Sequence, residues 1–135
     1  MVTDDKKKLA IMLFSGPYGK QDADYMCRIA ESALNRGYAV KIFLYGDGVH
    51  AQMNGQTPKS FLNIGDYLSE LADMGAEIKS CSRCSGARGY VEGEFDEGLD
   101  RYPSSKAIDA VKIHTLYSFI DMIKDCDKIM TFGGV

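Results

Sequence analysis

Cys81-Ser82-Arg83-Cys84 sets two thiols three residues apart, the only close pair among the four cysteines, Cys27, Cys81, Cys84 and Cys126. In a turn or at a helix start, side chains at that spacing reach each other. Such a pair can do three kinds of chemistry. A thiolate at Cys81 can attack a donor persulfide and take its outer sulfur, which stays electrophilic for the next thiol. The pair can also cycle between dithiol and disulfide, or supply half of a zinc site. Cys84 can attack a Cys81 persulfide, releasing sulfide and leaving a disulfide, or share the carrier role. A structural zinc needs four ligands, and no second pair at ligand spacing accompanies the first. A buried structural thiol is the plain alternative for Cys81, and an incidental cysteine for Cys84.

The surroundings bear on that choice. If the segment after Cys81 opens a turn or short helix, its unpaired N–H groups favour the thiolate. Arg83 and Arg88 add positive charge nearby. Cys27 beside the apolar face of the first helix and Cys126 at the last helix–strand junction read as core or boundary cysteines. His50 and His114 follow the ends of the second and fourth predicted strands, where either can line a crevice, move a proton or simply pack. Ser15-Gly16-Pro17-Tyr18-Gly19 reads as a tight strand-to-helix turn or an anion cradle. It lacks the Walker A spacing.

The elements that carry these residues alternate short apolar runs with helical periods, the pattern of βαβ units and a parallel sheet. Leu9 to Phe14 is a continuous apolar run suited to a strand buried on both faces. From Asp22, apolar residues at Met26, Ile29, Ala30, Ala33 and Leu34 mark one helical face, with Gly37 as its stop. Ala39 to Tyr45 predicts the second strand, closed by Gly46-Asp47-Gly48, and 51–59 reads as loop. Asn63 to Met74 predicts the second helix. Ala76 to Ser80 forms a third strand that runs into Cys81. The acidic stretch from Val91 to Asp100 reads as an exposed loop, a solvated face that could also dock a basic partner. Ala110 to Ile113 is a fourth strand, Leu116, Phe119, Ile120 and Ile123 mark the last helix, and Lys128 to Phe132 is the fifth strand, at an edge that invites pairing.

These elements predict an α/β fold: a flavodoxin-like doubly wound sheet of about five mainly parallel strands with helices on both faces. With strand order 2-1-3-4-5, the switch point lies between strands 1 and 3, where active groups gather beyond the carboxyl ends. Cys81 would then face the Ser15-to-Gly19 loop across the crevice.

Length and composition agree with one soluble domain over 1–135, with residues 1–7 as a charged tail. The 135 residues are 45% hydrophobic and 26% charged, richer in apolar residues than a disordered chain. The net charge of −3 offers no footprint for direct nucleic-acid binding. No apolar run approaches the ~20 residues that span a bilayer, and no secretory leader is visible, so the expected location is cytoplasmic.

Four blocks in chain order resemble the DsrE/TusD proteins of the DsrE/DsrF-like family. Ser15-Gly16-Pro17-Tyr18-Gly19 is similar to the family's Ser-Pro-Tyr-Gly loop after strand 1. Phe43-Leu44-Tyr45-Gly46-Asp47-Gly48-Val49 is similar to its aromatic strand ending in Asp-Gly-Val. Cys81 followed by Arg88-Gly89 resembles its active cysteine and Arg-Gly. Cys126-Asp127-Lys128-Ile129-Met130-Thr131-Phe132 resembles its terminal Cys-Asp-Arg-Val-Val-x-Phe strand. The resemblance implies persulfide transfer between donor and acceptor proteins, with Cys81 as the sulfur carrier, a sulfurtransferase if active. It implies assembly into homotrimers or hexamers, alone or with sister subunits, and no cofactor beyond the covalently held sulfur. Ser15, Gly16, Tyr18, Gly19, Asp47, Arg83, Arg88 and His114 are the expected substrate- or partner-binding residues. The chain departs from the family pattern in Ser82-Arg83-Cys84-Ser85-Gly86 and in the acidic insert around Glu92 to Asp100.

Overall fold

The computed structural model describes residues 6–134; residues 1–5 of the charged tail and Val135 lie outside them. The strands are β1 (Lys8–Leu13), β2 (Ala39–Leu44), β3 (Glu77–Cys81), β4 (Lys112–His114) and β5 (Lys128–Phe132). The helices are α1 (Asp22–Asn35), α2 (Ile64–Asp73), α3 (Ser82–Ala87) and α4 (Tyr117–Asp125), and a 3-10 helix spans Gly46–Gln52. All the strand pairs are parallel, in the order β4-β3-β2-β1-β5. The predicted parallel α/β sheet is therefore present, with the order of its strands corrected. The connection from β2 continues outward, so β3 pairs with β2 and β4 rather than with β1. β1 lies between β2 and β5, and the direction of winding reverses there.

That winding decides how the two faces are covered. Crossovers between parallel strands are right-handed, so the outward steps from β1 to β4 lay their connections on one face, and the single return step to β5 lays α4 on the other. Alternation along the strands follows suit. Leu9, Ile11, Leu13, Val40, Ile42, Leu44, Ile78 and Ile113 join Met26, Ala30, Leu68 and Leu71 of α1 and α2 in the larger core. Ala10, Met12, Phe43 and Cys81 face the other way and meet Met122 of α4 in a smaller one. Phe119 of α4 lies over Phe43, with ring centroids 5.3 Å apart.

Local signals set several boundaries. The Asn63 side chain accepts from Asp66 N–H at 3.0 Å and caps α2. The apolar stripe predicted for α4 behaves differently from expectation. Ser118 and Met122 are its buried residues, while Leu116, Ile120 and Ile123 are exposed. A nine-residue helix laid across a sheet face buries one narrow side. The stretch Gly46–Gln52, expected as a strand end and loop, winds into the 3-10 helix and packs across the top of β1. A Cβ on Gly48 would lie 2.1 Å from the Leu13 carbonyl oxygen, so glycine alone permits that approach.

Candidate functional site

Cys81 is the last residue of β3 and the N-cap of α3. β-Backbone before it and helical turn after it carry Cys84 round to the same side. Cys84 packs against the buried cluster that holds Cys81, with the Cys81 thiol and the Gly46 backbone N–H close to its sulfur. Burial raises the Cys84 pKa most; the contact with Cys81 pushes the same way, against the Gly46 N–H and the Arg88 guanidinium. Cys84 is therefore held as a thiol, able to donate to its neighbour.

The expectation that the Cys81 thiol is open to a crevice is corrected. Cys81 is 1% exposed, inside the buried cluster of Ala10, Met12, Phe43 and Met122. Cys84 is half-buried and is the more open member of the pair. Nor does Cys81 face the Ser15-to-Gly19 loop, because β2 stands between β3 and β1. The reversal of winding falls between β1 and β5, and there Ser15 fills the space: a Cβ on Gly133 would lie 2.1 Å from its Oγ.

The other expected residues divide into two groups. Asp47 and Arg88 join the thiols. Arg88 donates through Nε and Nη2 to Asp47 Oδ1, at 3.1 and 2.9 Å, and through Nη1 to the Cys84 carbonyl at 3.0 Å. This guanidinium ties the 3-10 helix to the end of α3. Ser15, Gly16 and Gly19 line a surface cavity of about 520 Å³ with Asp47 and His50, and neither thiol lines it. Tyr18 braces the following loop, donating from Oη to Gln56 Oε1 at 2.5 Å and accepting from Ile64 N–H at 3.1 Å. Arg83 is exposed at a cavity of about 360 Å³ shared with Ser82, Thr115, Leu116, Tyr117 and Ile120. His114 sits opposite Cys81 in the β3–β4 register. His50 pairs through Nδ1 with Tyr90 Oη at 2.8 Å.

The two cysteines read as packing residues behave so. Cys27 is fully buried in α1, and its thiol is pushed up to about 12, first by burial and then by Asp24 and Glu31. Cys126 is half-buried, and its pKa is raised chiefly by desolvation.

Sequence reasoning missed a buried polar knot beneath the pair. Ser80 Oγ donates to Gln52 Oε1 at 2.7 Å, and Gln52 Nε2 donates to Ser85 Oγ at 3.0 Å. Gln52, Ser80 and Ser85 are all fully buried. One amide thus clamps the residues just before and just after the Cys81–Cys84 segment. A glutamine at the end of a Gly-rich turn carries no signal of burial. It also missed Asp100, which meets His114 Nε2 at 3.0 Å.

A parallel α/β sheet with a thiol pair at the carboxyl end of an inner strand defines the class. The chain belongs to the DsrE/DsrF-like family, whose model matches residues 7–132. An uncharacterized protein of Methanopyrus kandleri is 33% identical over 124 residues, 92% of this chain and 93% of that one. Protein YchN of Escherichia coli is 29% identical over 132 residues, 93% of this chain and 99% of that one. The crystal structure of YchN matches with a TM-score of 0.77 at 27% identity, covering 93% of this chain and 99% of that chain. A Bacteroides thetaiotaomicron protein of unknown function shares the fold, with a TM-score of 0.60 at 16% identity over 93% of this chain and 94% of its own. Among the described residues no helix is long and apolar enough to cross a membrane.

Proposed function

We propose that this protein is a sulfur-relay protein that carries persulfide sulfur on Cys81 and passes it between partner proteins. The observation that carries the reading is the contact between Cys81 and Cys84 at the carboxyl end of β3, in a chain of the DsrE/DsrF-like family. Cys81 and Arg88 resemble the family's cysteine and following arginine, and Arg88 holds the chain around Cys84. Because Cys81 is sealed and Cys84 is the more open thiol, sulfur transfer requires the cover over Cys81 to move when a donor docks. A cavity of about 360 Å³ lined by Ser82 and Arg83, the residues that follow Cys81, offers the donor an approach.

Assembly with further copies of the chain fits the same face. Leu116, Tyr117, Ile120, Ile123 and Ile129 are 39 to 76% exposed along α4 and the outer strand. An apolar stripe next to an unpaired edge strand favours coverage by a neighbour.

The test is intact-mass analysis after incubation with a small-molecule persulfide. Wild type is expected to gain the mass of one sulfur atom, Cys84→Ser to gain it too, and Cys81→Ser to gain none. Equal uptake by Cys81→Ser overturns the reading. The contact between the two sulfurs supports a second reading, a thiol–disulfide couple, under which oxidised wild type loses two hydrogens and Cys84→Ser is inactive.

A further inference from the structure

β3 and β4 run parallel with Cys81 opposite His114, so both side chains leave the same face of the sheet. His114 Nε2 lies 3.0 Å from Asp100 Oδ1. An ionised carboxylate only accepts, so Nε2 carries the proton and Nδ1 of the neutral ring presents a bare lone pair. That Nδ1 is buried and has no hydrogen-bond partner among the described residues. Buried polar atoms are nearly always paired, and the exceptions call for an explanation.

The frame around the ring is tightly built. Phe95 meets it edge to face, with centroids 5.1 Å apart and planes at 85°. Asp100 adopts a left-handed conformation with φ of 57°, and Lys112 Nζ lies 3.7 Å from its Oδ2. The Asp100 carboxyl is held below its usual range, first by the hydrogen bond from His114 and further by Lys112 and Lys79. The charged and titratable groups facing the ring are thus Asp100 from the loop, Lys112 from β4, and Lys79 and Cys81 from β3. The residues that follow Cys81 and His114, Ser82 and Thr115, line one cavity. The other histidine, His50, has its Nδ1 taken by Tyr90.

We propose that His114, positioned by Asp100, accepts the proton of the Cys81 thiol; this rests on the sulfur-relay reading. Neighbouring strands lie about 4.8 Å apart, within the sweep of both side chains. The transfer requires a turn about the Cys81 Cα–Cβ bond that brings its sulfur to Nδ1 of the ring opposite it. The S–H proton passes to Nδ1, and Asp100 stabilises the imidazolium. The Cys81 thiolate attacks the outer sulfur of a donor persulfide, forming the new S–S bond as the donor's own S–S bond breaks. The electron pair leaves on the donor thiolate, which takes the proton back from His114. The products are a Cys81 persulfide and a donor thiol, with no net redox change.

The experiment is the rate of iodoacetamide alkylation at Cys81, located by peptide mass, from mildly acidic to mildly alkaline pH. His114→Gln is expected to move the half-maximal rate to higher pH and to slow alkylation at neutral pH about tenfold, the effect of one pKa unit. Asp100→Asn is expected to move it the same way by less, and decides the matter alone if His114→Gln does not fold by circular dichroism. Profiles that coincide with wild type, or a Cys81 that resists alkylation at every pH, overturn the proposal. The assay contains no sulfur donor. A protein that fails persulfide loading yet shows the shifted profile loses the relay reading and keeps this one, and the reverse result does the opposite.

Discussion

The two faces of the sheet differ in how they are closed. One carries α1, α2 and the long 82–111 connection, and strand residues pointing there are Leu, Ile and Val almost throughout. The other carries α4, joined near β3 and β4 by Cys84 of α3 and by Phe95 and Asp100, and strand residues pointing there include Lys41, Lys79, Lys112 and His114 beside Ala10, Met12, Phe43 and Cys81. The difference follows from topology, because three connections wind outward and one returns. It teaches that stability and chemistry are divided between the faces. The closed face supplies buried apolar area, and the thin face keeps ionisable groups beside the Cys81 sulfur.

The largest expected effect sharpens this contrast on the closed side. Leu68→Ala, in α2 and fully buried, is expected to cost about 2–5 kcal/mol in chemical denaturation. A cost near that of a surface change would show that the closed face is not the main source of stability. A smaller effect comes from Cys27 on the same side. Its folded pKa of about 12 lies above the ordinary 9.0, so the folded state keeps the proton that the unfolded state gives up. Its contribution is complete below pH 9 and is lost as pH rises toward about 12. Cys27→Ala should therefore flatten the alkaline fall of stability in denaturation curves, and an unchanged slope breaks the assignment. The smallest effect lies on the thin side. Ile123→Ser, at a position 39% exposed, is expected to shift monomer stability by no more than about 0.5 kcal/mol. A loss comparable to that of Leu68→Ala would mean that the thin face is as firmly packed as the closed one.

Much of the fold was readable because hydrophobic period is a local signal. The expected β5 coincides with Lys128–Phe132, and α1 begins and ends where Asp22 and Gly37 indicate. The family resemblance, carried by short blocks around Ser15, Asp47, Cys81 and Cys126, holds over the matched residues. What was not readable depends on relations between elements. Strand order is one: nothing within Ala76 to Ser80 says whether that strand joins β1 or passes outside β2, and the wrong choice put Cys81 opposite Ser15. The exposed stripe of α4 is another, since periodicity marks an apolar side without saying what covers it. The same limit hid the site's supports. Gln52 and Asp100 are polar residues in stretches read as loop, and only long-range pairing makes one a buried clamp and the other the partner of His114.

Gly48 ties these threads together. Its missing side chain lets the 3-10 helix settle onto Leu13, and that helix carries the Gly46 amide, the Asp47 carboxylate and the Gln52 amide that surround the sulfur-bearing turn. A single methyl group there would lever the helix away from its seat and slacken all three tethers at once. The architecture of the thiol pair is thus governed from a residue that touches neither sulfur.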